Sequence, residues 1–285
     1  MTLRTTSTPF APIGEQWLER LKDEGKSQST LDCYARDIRD VAVASGLAEA
    51  AQLSKLDQCA IDAIAATWRL AGACETTVIR RFSALRIFAS YLARQHGINV
   101  SALLSADFPT APKGARPAVE QSAVGLLLAE HLAESWRDAR DSAVFAVQSD
   151  AGLTSAEAVK LDVANVDLEA CLVRVVETHL APRIAAISRR SRDLIADYLR
   201  ALPFTLAEDE PLFVTSKRKR LGVRSAQLSF RRRRTRLGVS PEATLMGLRH
   251  AMAARLIAEG IAPDLLATAL GVLGATADRY FDGNH

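Results

Sequence analysis

The sequence is poor in cysteine and has no long apolar run. Its four cysteines, Cys33, Cys59, Cys74 and Cys171, lie far apart, with no C-x-x-C pair and no Cys/His cluster. That pattern argues against a disulfide framework or a zinc site and points to a reducing cytosol. No stretch reaches the ~18 consecutive apolar residues of a membrane helix. The opening MTLRTTSTPFAPIG lacks the apolar segment of a signal peptide. The expectation is a cytoplasmic protein with no membrane partner and no bound metal.

An excess of charge is also missing. Lys+Arg 36 against Asp+Glu 33 leaves +3, so net charge names no partner and its distribution has to. What the chain does have is apolar content. Of its 285 residues 48% are hydrophobic, enough for a packed core, and the length favours two domains.

Ile13, Trp17 and Leu21 recur every four residues, which predicts a helix over 12–25. Leu31, Tyr34, Ile38 and Val41 predict a second, capped by Ser29 or Thr30 and ended by Gly46. A third helix is expected across Gln58–Ala71. A fourth runs from Glu75–Thr77 to Gly97, with Val78, Phe82, Leu85, Phe88 and Leu92 on one side.

Residues 108–118, FPTAPKGARPA, then place Pro109, Pro112 and Pro117 close together. Proline has no N–H to donate and a fixed φ, so this stretch is the expected interdomain linker. Beyond it, helices are expected near 119–132 and 136–150, broken at Gly152, and at Ser155–Leu161. Glu157 is expected to support that last helix start. Residues 166–187, VDLEACLVRVVETHLAPRIAAI, are rich in β-branched side chains and predict two or three short antiparallel strands. Helices return at 188–202, 224–237, 244–259 and 262–270. The fold class is mainly α with a small antiparallel β-sheet (α+β). A helical domain at 1–107 precedes the linker, and a larger domain occupies 119–285.

Between Ser216 and Arg236 lie ten basic residues and no acidic one: Lys217, Arg218, Lys219, Arg220, Arg224, Arg231, Arg232, Arg233, Arg234 and Arg236. Like charges so clustered form an electrostatic footprint for phosphate. Contacts from about half of them give a log–log salt slope of roughly −4 to −5. A smaller patch combines Thr77, Arg80, Arg81 and Arg86 with Arg36 and Arg39.

Four stretches, in order, resemble the tyrosine recombinase (phage integrase) family. STLDCYARDIRDVAVASG and ETTVIRRFSALRIFASYLARQHGINVS are similar to its SAM-like core-binding domain, which clamps DNA. ARDSAVFAVQSDAGLTSAEAVKLDVANVDLE resembles the segment presenting a first catalytic arginine. LMGLRHAMAARLIAEGIAPDLLATALGVLGATADRYF resembles the segment with a second arginine, a histidine and the tyrosine nucleophile. The resemblance implies double-stranded DNA as partner, self-association or a partner recombinase on it, a nucleoid-associated protein, and chemistry without a cofactor.

In such a family a tyrosine oxygen attacks a DNA phosphodiester while two arginines hold its non-bridging oxygens. The resemblance places the second arginine on Arg249 and the nucleophile on Tyr280. Four further positions are degenerate: Thr154 at the first arginine, Thr178 at the hairpin lysine, Met246 at the histidine and Val272 at the His/Trp position. His179 and Arg183 stand nearby as conceivable substitutes. His250 is expected to be structural. Only residues 281–285 follow Tyr280, too few for the C-terminal helix that tetramer-forming members exchange.

Two readings follow. In the first, the chain is a DNA-binding protein on the recombinase fold with impaired catalysis, a transcriptional regulator or an accessory factor of a mobile element. In the second, it is a divergent, active recombinase that cleaves DNA through a phosphotyrosine intermediate.

Overall fold

The computed structural model describes residues 10–26, 28–110, 118–129, 134–176 and 182–281. The chain separates into two compact units at Pro112–Lys113. Most of the proline-rich stretch, residues 111–117, lies outside the described residues.

The N-terminal unit is helical: α1 (Ala11–Asp23), α2 (Gln28–Ser45), a 3-10 turn at Ala50–Lys55, α3 (Gln58–Leu70), α4 (Glu75–His96) and α5 (Ser101–Leu104). The predicted stripe of α4 is its buried face, and Val78, Leu85, Phe88 and Leu92 are fully enclosed. Burying each such side chain contributes roughly 1.5–3 kcal/mol. Trp17 of α1 joins this core, stacked on Tyr34 with ring centroids 5.6 Å apart and tilted against Phe88 at 5.0 Å. The Asp57 carboxylate caps α3 by accepting from Ala60 N. Gly97, at φ 63°, ends α4 in the left-handed region that favours glycine. The second helix starts earlier than the cap reading allowed. It begins at Gln28, so Ser29 and Thr30 fall inside its first turn.

The C-terminal unit contains α6 (Gln121–Leu127), α7 (Trp136–Asp150), α8 (Ser155–Lys160), β1 (Val166–Asp167), β2 (Leu172–Val175) and β3 (Arg183–Ala186). Then come α9 (Arg189–Ala201), α10 (Val223–Arg236), α11 (Leu245–Ala258), α12 (Pro263–Leu270) and α13 (Gly274–Ala277). Helix α7 is the hub. All its residues from Ala139 to Ser149 are buried, and α9, α10 and α11 pack around it. A helix enclosed on all sides carries no amphipathic stripe. The strands form one antiparallel sheet in the order β1-β2-β3, with Val173 opposite Ala185 and Val175 opposite Arg183. Val173 and Val175 point inward while Leu172 and Arg174 are exposed, the alternation of a half-buried strand. Helix α6 stops at Leu127, short of the 132 expected, and residues 130–133 lie outside the described set.

Candidate active site

Arg249 sits near the start of α11, whose first turn is capped by Thr244 Oγ1 accepting from Gly247 N at 3.0 Å. It is 2% exposed. Its Nη1 donates to the Gly152 carbonyl at 2.5 Å and its Nη2 to the Leu270 carbonyl at 2.7 Å. One guanidinium therefore ties the turn after α7 to the end of α12. Gly152 is suited to that turn on two counts. Its φ is 59°, and a Cβ there would meet Met252 Sδ at 3.0 Å and Leu270 Cδ2 at 3.1 Å.

Tyr280 is 8% exposed, in a small core with Met252, Leu266 and Leu270. Its ring meets that of His250 edge-on, centroids 5.6 Å apart. Burial pulls the Arg249 pKa down, and the Tyr280 oxygen and the Glu157 carboxylate oppose that pull.

Glu157 and Thr154 form a reciprocal capping box at the start of α8. Thr154 Oγ1 accepts from Glu157 N at 3.1 Å, and Glu157 Oε2 accepts from Thr154 N at 2.8 Å. The same carboxylate receives Arg183 in a two-pronged contact, Nη1 to Oε1 at 2.7 Å and Nη2 to Oε2 at 3.1 Å. Arg249 Nη1 lies 3.6 Å from Glu157 Oε2. Burial works to raise the Glu157 pKa. The Arg183 hydrogen bonds, the Thr154 N–H and the two guanidinium charges outweigh it and hold the group below its ordinary value.

Arg183 reaches this position only because residue 271 is glycine. A Cβ on Gly271 would lie 2.5 Å from Arg183 Nη1, and its φ of 62° is itself in the left-handed region. The structure thus brings together Arg249, Tyr280, Glu157 and Arg183. Thr154 stands beside them with its side chain engaged in the cap. Met246 and Val272 are half-buried, and Val272 packs against the Tyr280 core. Thr178 and His179 lie outside the described residues.

The basic stretch is not one surface. Lys217, Arg218, Lys219 and Arg220 are exposed, as are Arg224, Arg231, Arg232 and Arg236 on α10. Arg218 pairs with Glu210 at 3.1 Å and lies over the Phe204 ring, while Arg220 pairs with Asp162 at 2.6 Å. Half-buried Arg234 donates to the Ala243 carbonyl. Arg233 departs from the sequence expectation: it is buried and donates to the carbonyls of Leu127 and Asp138 and to Ser142 Oγ, its guanidinium over the Phe145 ring. In the N-terminal unit Arg80 pairs with Asp37 and Arg81 with Asp40, linking α4 to α2. Arg86 lies over the Phe108 ring, and Thr77 contacts the Cys74 thiol.

Residues 121–281 match the phage integrase family, and residues 15–96 match the phage integrase N-terminal SAM-like domain. The tyrosine recombinase XerC of Methylobacterium nodulans is 32% identical over 257 residues, 85% of this chain and 79% of that protein. The XerC of Rhizobium meliloti is 30% identical over 260 residues, 86% and 80% of the two chains. Among solved structures, the Tn1549 transposon integrase in complex with transposon right end DNA aligns with a TM-score of 0.71. It is 14% identical and covers 96% of this chain and 95% of its own. A lambda integrase dimer bound to a COC' core site aligns at 0.70 with 16% identity, over 95% of each chain. These last two likenesses concern the fold alone. The family matches span both units and the sequence relatives run through both, so the chain belongs to the tyrosine recombinase (phage integrase) family.

Proposed function

We propose that this chain is a site-specific DNA recombinase that acts through Tyr280. Exposed basic residues bring it onto duplex DNA: Lys217 and Lys219 in the turn before α10, and Arg224, Arg231, Arg232 and Arg236 along it. In the N-terminal unit exposed Arg86, over the Phe108 ring, and half-buried Arg80 and Arg81, paired with Asp37 and Asp40, serve the same end. The observation that carries the reading is the placing of Tyr280 beside buried Arg249: its ring packs edge-on against the adjacent His250, and Arg249 donates to the carbonyl of Leu270, a member of the small core that Tyr280 joins. The Arg249 guanidinium offers a positive group to a phosphate arriving at the same place. The tyrosine recombinases among its relatives support the assignment.

In the proposed step the Tyr280 oxygen attacks phosphorus, and the bond from phosphorus to the 5′-oxygen breaks. A 3′-phosphotyrosyl link and a free 5′-hydroxyl result. The phenol loses one proton and the leaving oxygen gains one, so none is consumed overall. Arg249 stabilises the charge gathering on the non-bridging oxygens. Loss of one such preorganised donor typically costs about 10²–10³ in rate.

The reading of DNA binding with impaired catalysis rests on a different observation. Thr154, Met246 and Val272 carry neither charge nor a titratable proton where the resemblance calls for them. Occupancy of the tagged protein across the genome of its host separates the two. Concentration on one inverted-repeat site at the edge of a mobile element supports recombination. Occupancy spread over promoters supports a regulator.

A further inference from the structure

We propose that Arg183 is the second phosphate-binding guanidinium of this site, delivered from the sheet in place of the charge missing at Thr154. The inference rests on the reading that Arg249 and Tyr280 receive a phosphodiester.

Three observations converge. The first is a carboxylate shared between two arginines: Glu157 is gripped on both oxygens by Arg183 and approached by Arg249. Thr154 contributes only a backbone N–H and a capping hydroxyl to that group. The second is a charge imbalance in a dry place. The side chains of Arg183, Arg249 and Glu157 are 8%, 3% and 10% exposed. One anion between two cations leaves an excess positive charge where burial is costly, and an anionic ligand relieves that cost. Arg249 itself lies close enough to Arg183 for the second cation to depress its pKa.

The third is unused donor capacity. The Nε atoms of both Arg183 and Arg249 are buried without a hydrogen-bond partner, although each terminal nitrogen of these side chains is engaged. Two fork-shaped donors with spare N–H groups suit a phosphodiester, which presents two non-bridging oxygens. Gly271 completes the arrangement, because any side chain there would displace the Arg183 guanidinium.

A purely structural role for Arg183, pinning β3 to α8, would give the same ion pair, so the test includes readouts that such a role leaves unmoved. In the full-length chain, inorganic phosphate is titrated against melting temperature, with potassium chloride at equal ionic strength as reference. Phosphate is expected to raise the melting temperature of wild type and of an Arg200→Ala variant, which removes an exposed arginine outside the site, and to leave Arg183→Ala and Arg183→Lys unmoved. Absence of a phosphate-specific rise in wild type overturns the inference, as does a full rise in Arg183→Ala.

Strand cleavage supplies the second readout. Arg183→Ala should lower the rate of covalent adduct formation by about 10²–10³ with duplex affinity changed less than about threefold. Adding Thr154→Arg to Arg183→Ala should recover at least tenfold of that loss. An adduct rate in Arg183→Ala equal to wild type overturns the assignment, and so does a loss that Thr154→Arg leaves untouched in a protein that melts normally. Failure of the recombinase reading looks different: wild type binds its site, shows the Arg183-dependent phosphate response and forms no adduct.

Discussion

Glu157 accepts both terminal nitrogens of Arg183, which comes from β3, while its Oε2 stands 3.6 Å from Arg249 on α11. One carboxylate from the start of α8 thereby fixes two cations from separate elements.

Removing that carboxylate charge should cost more than a surface ion pair does. Glu157→Gln leaves two buried guanidiniums facing a neutral amide, and breaking a buried pair typically costs about 3–5 kcal/mol. The pH dependence has a definite sign. The Glu157 pKa is held below its ordinary 4.5, so its contribution is fully present above pH 4.5 and is lost as pH falls through the lower folded value. Urea unfolding of wild type and Glu157→Gln should show a stability gap that is constant at neutral pH and narrows below pH 4.5. A gap that widens on acidification contradicts the assignment.

Two glycines of similar backbone provide a matched comparison. Gly271 and Gly238 have φ of 62° and 66°, but a Cβ on Gly271 meets Arg183 at 2.5 Å whereas one on Gly238 meets nothing. Gly238→Ala should cost only the left-handed penalty, about 1–2 kcal/mol. Gly271→Ala should cost that and also expel Arg183, reducing adduct formation. Thermal melts and adduct yields measured side by side decide this, and equal behaviour of the two variants counts against it.

The basic helix should divide by burial. Arg231 and Arg232 are exposed on α10, so their replacement by alanine should weaken DNA binding and make the log–log salt slope shallower by about 0.9 for each phosphate no longer neutralised. Arg233→Ala should act on the fold, because it removes the donors to the buried Leu127 carbonyl and Ser142 hydroxyl, roughly 1–3 kcal/mol for each group left unsatisfied. Salt-dependent binding isotherms together with denaturation curves separate these effects. A salt slope that changes equally in all three variants contradicts the division.

Much of this architecture was legible in the sequence because apolar spacing reports buried faces directly. The α4 stripe from Val78 to Leu92 is the clearest instance, and β-branched content marked the strands around Val173 and Val175. The helices α5 (Ser101–Leu104) and α13 (Gly274–Ala277) leave no periodic signal because four residues are too few to display a repeat. The burial of Arg233 did carry a signal. It follows Ala226 and Phe230 at four- and three-residue spacing, on the same buried face of α10. Within the candidate site, Arg249 and Tyr280 stood out through the family resemblance, and the Thr154–Glu157 spacing is that of a capping box. The Arg183–Glu157 pair was hidden. It joins a strand to a helix across intervening chain, and it depends on the absence of a side chain at Gly271, a constraint that only the tertiary structure reveals.

The central claim is that Tyr280 is a nucleophile toward DNA. Its most direct measurement is a denaturing gel of the protein incubated with a labelled, nicked duplex carrying its occupied site. Wild type should retain label as a covalent protein–DNA species. Tyr280→Phe should retain none while binding the same duplex with affinity within about twofold, since only the hydroxyl is removed. Confirmed binding by wild type with no adduct after prolonged incubation, or an adduct that persists in Tyr280→Phe, would contradict the account.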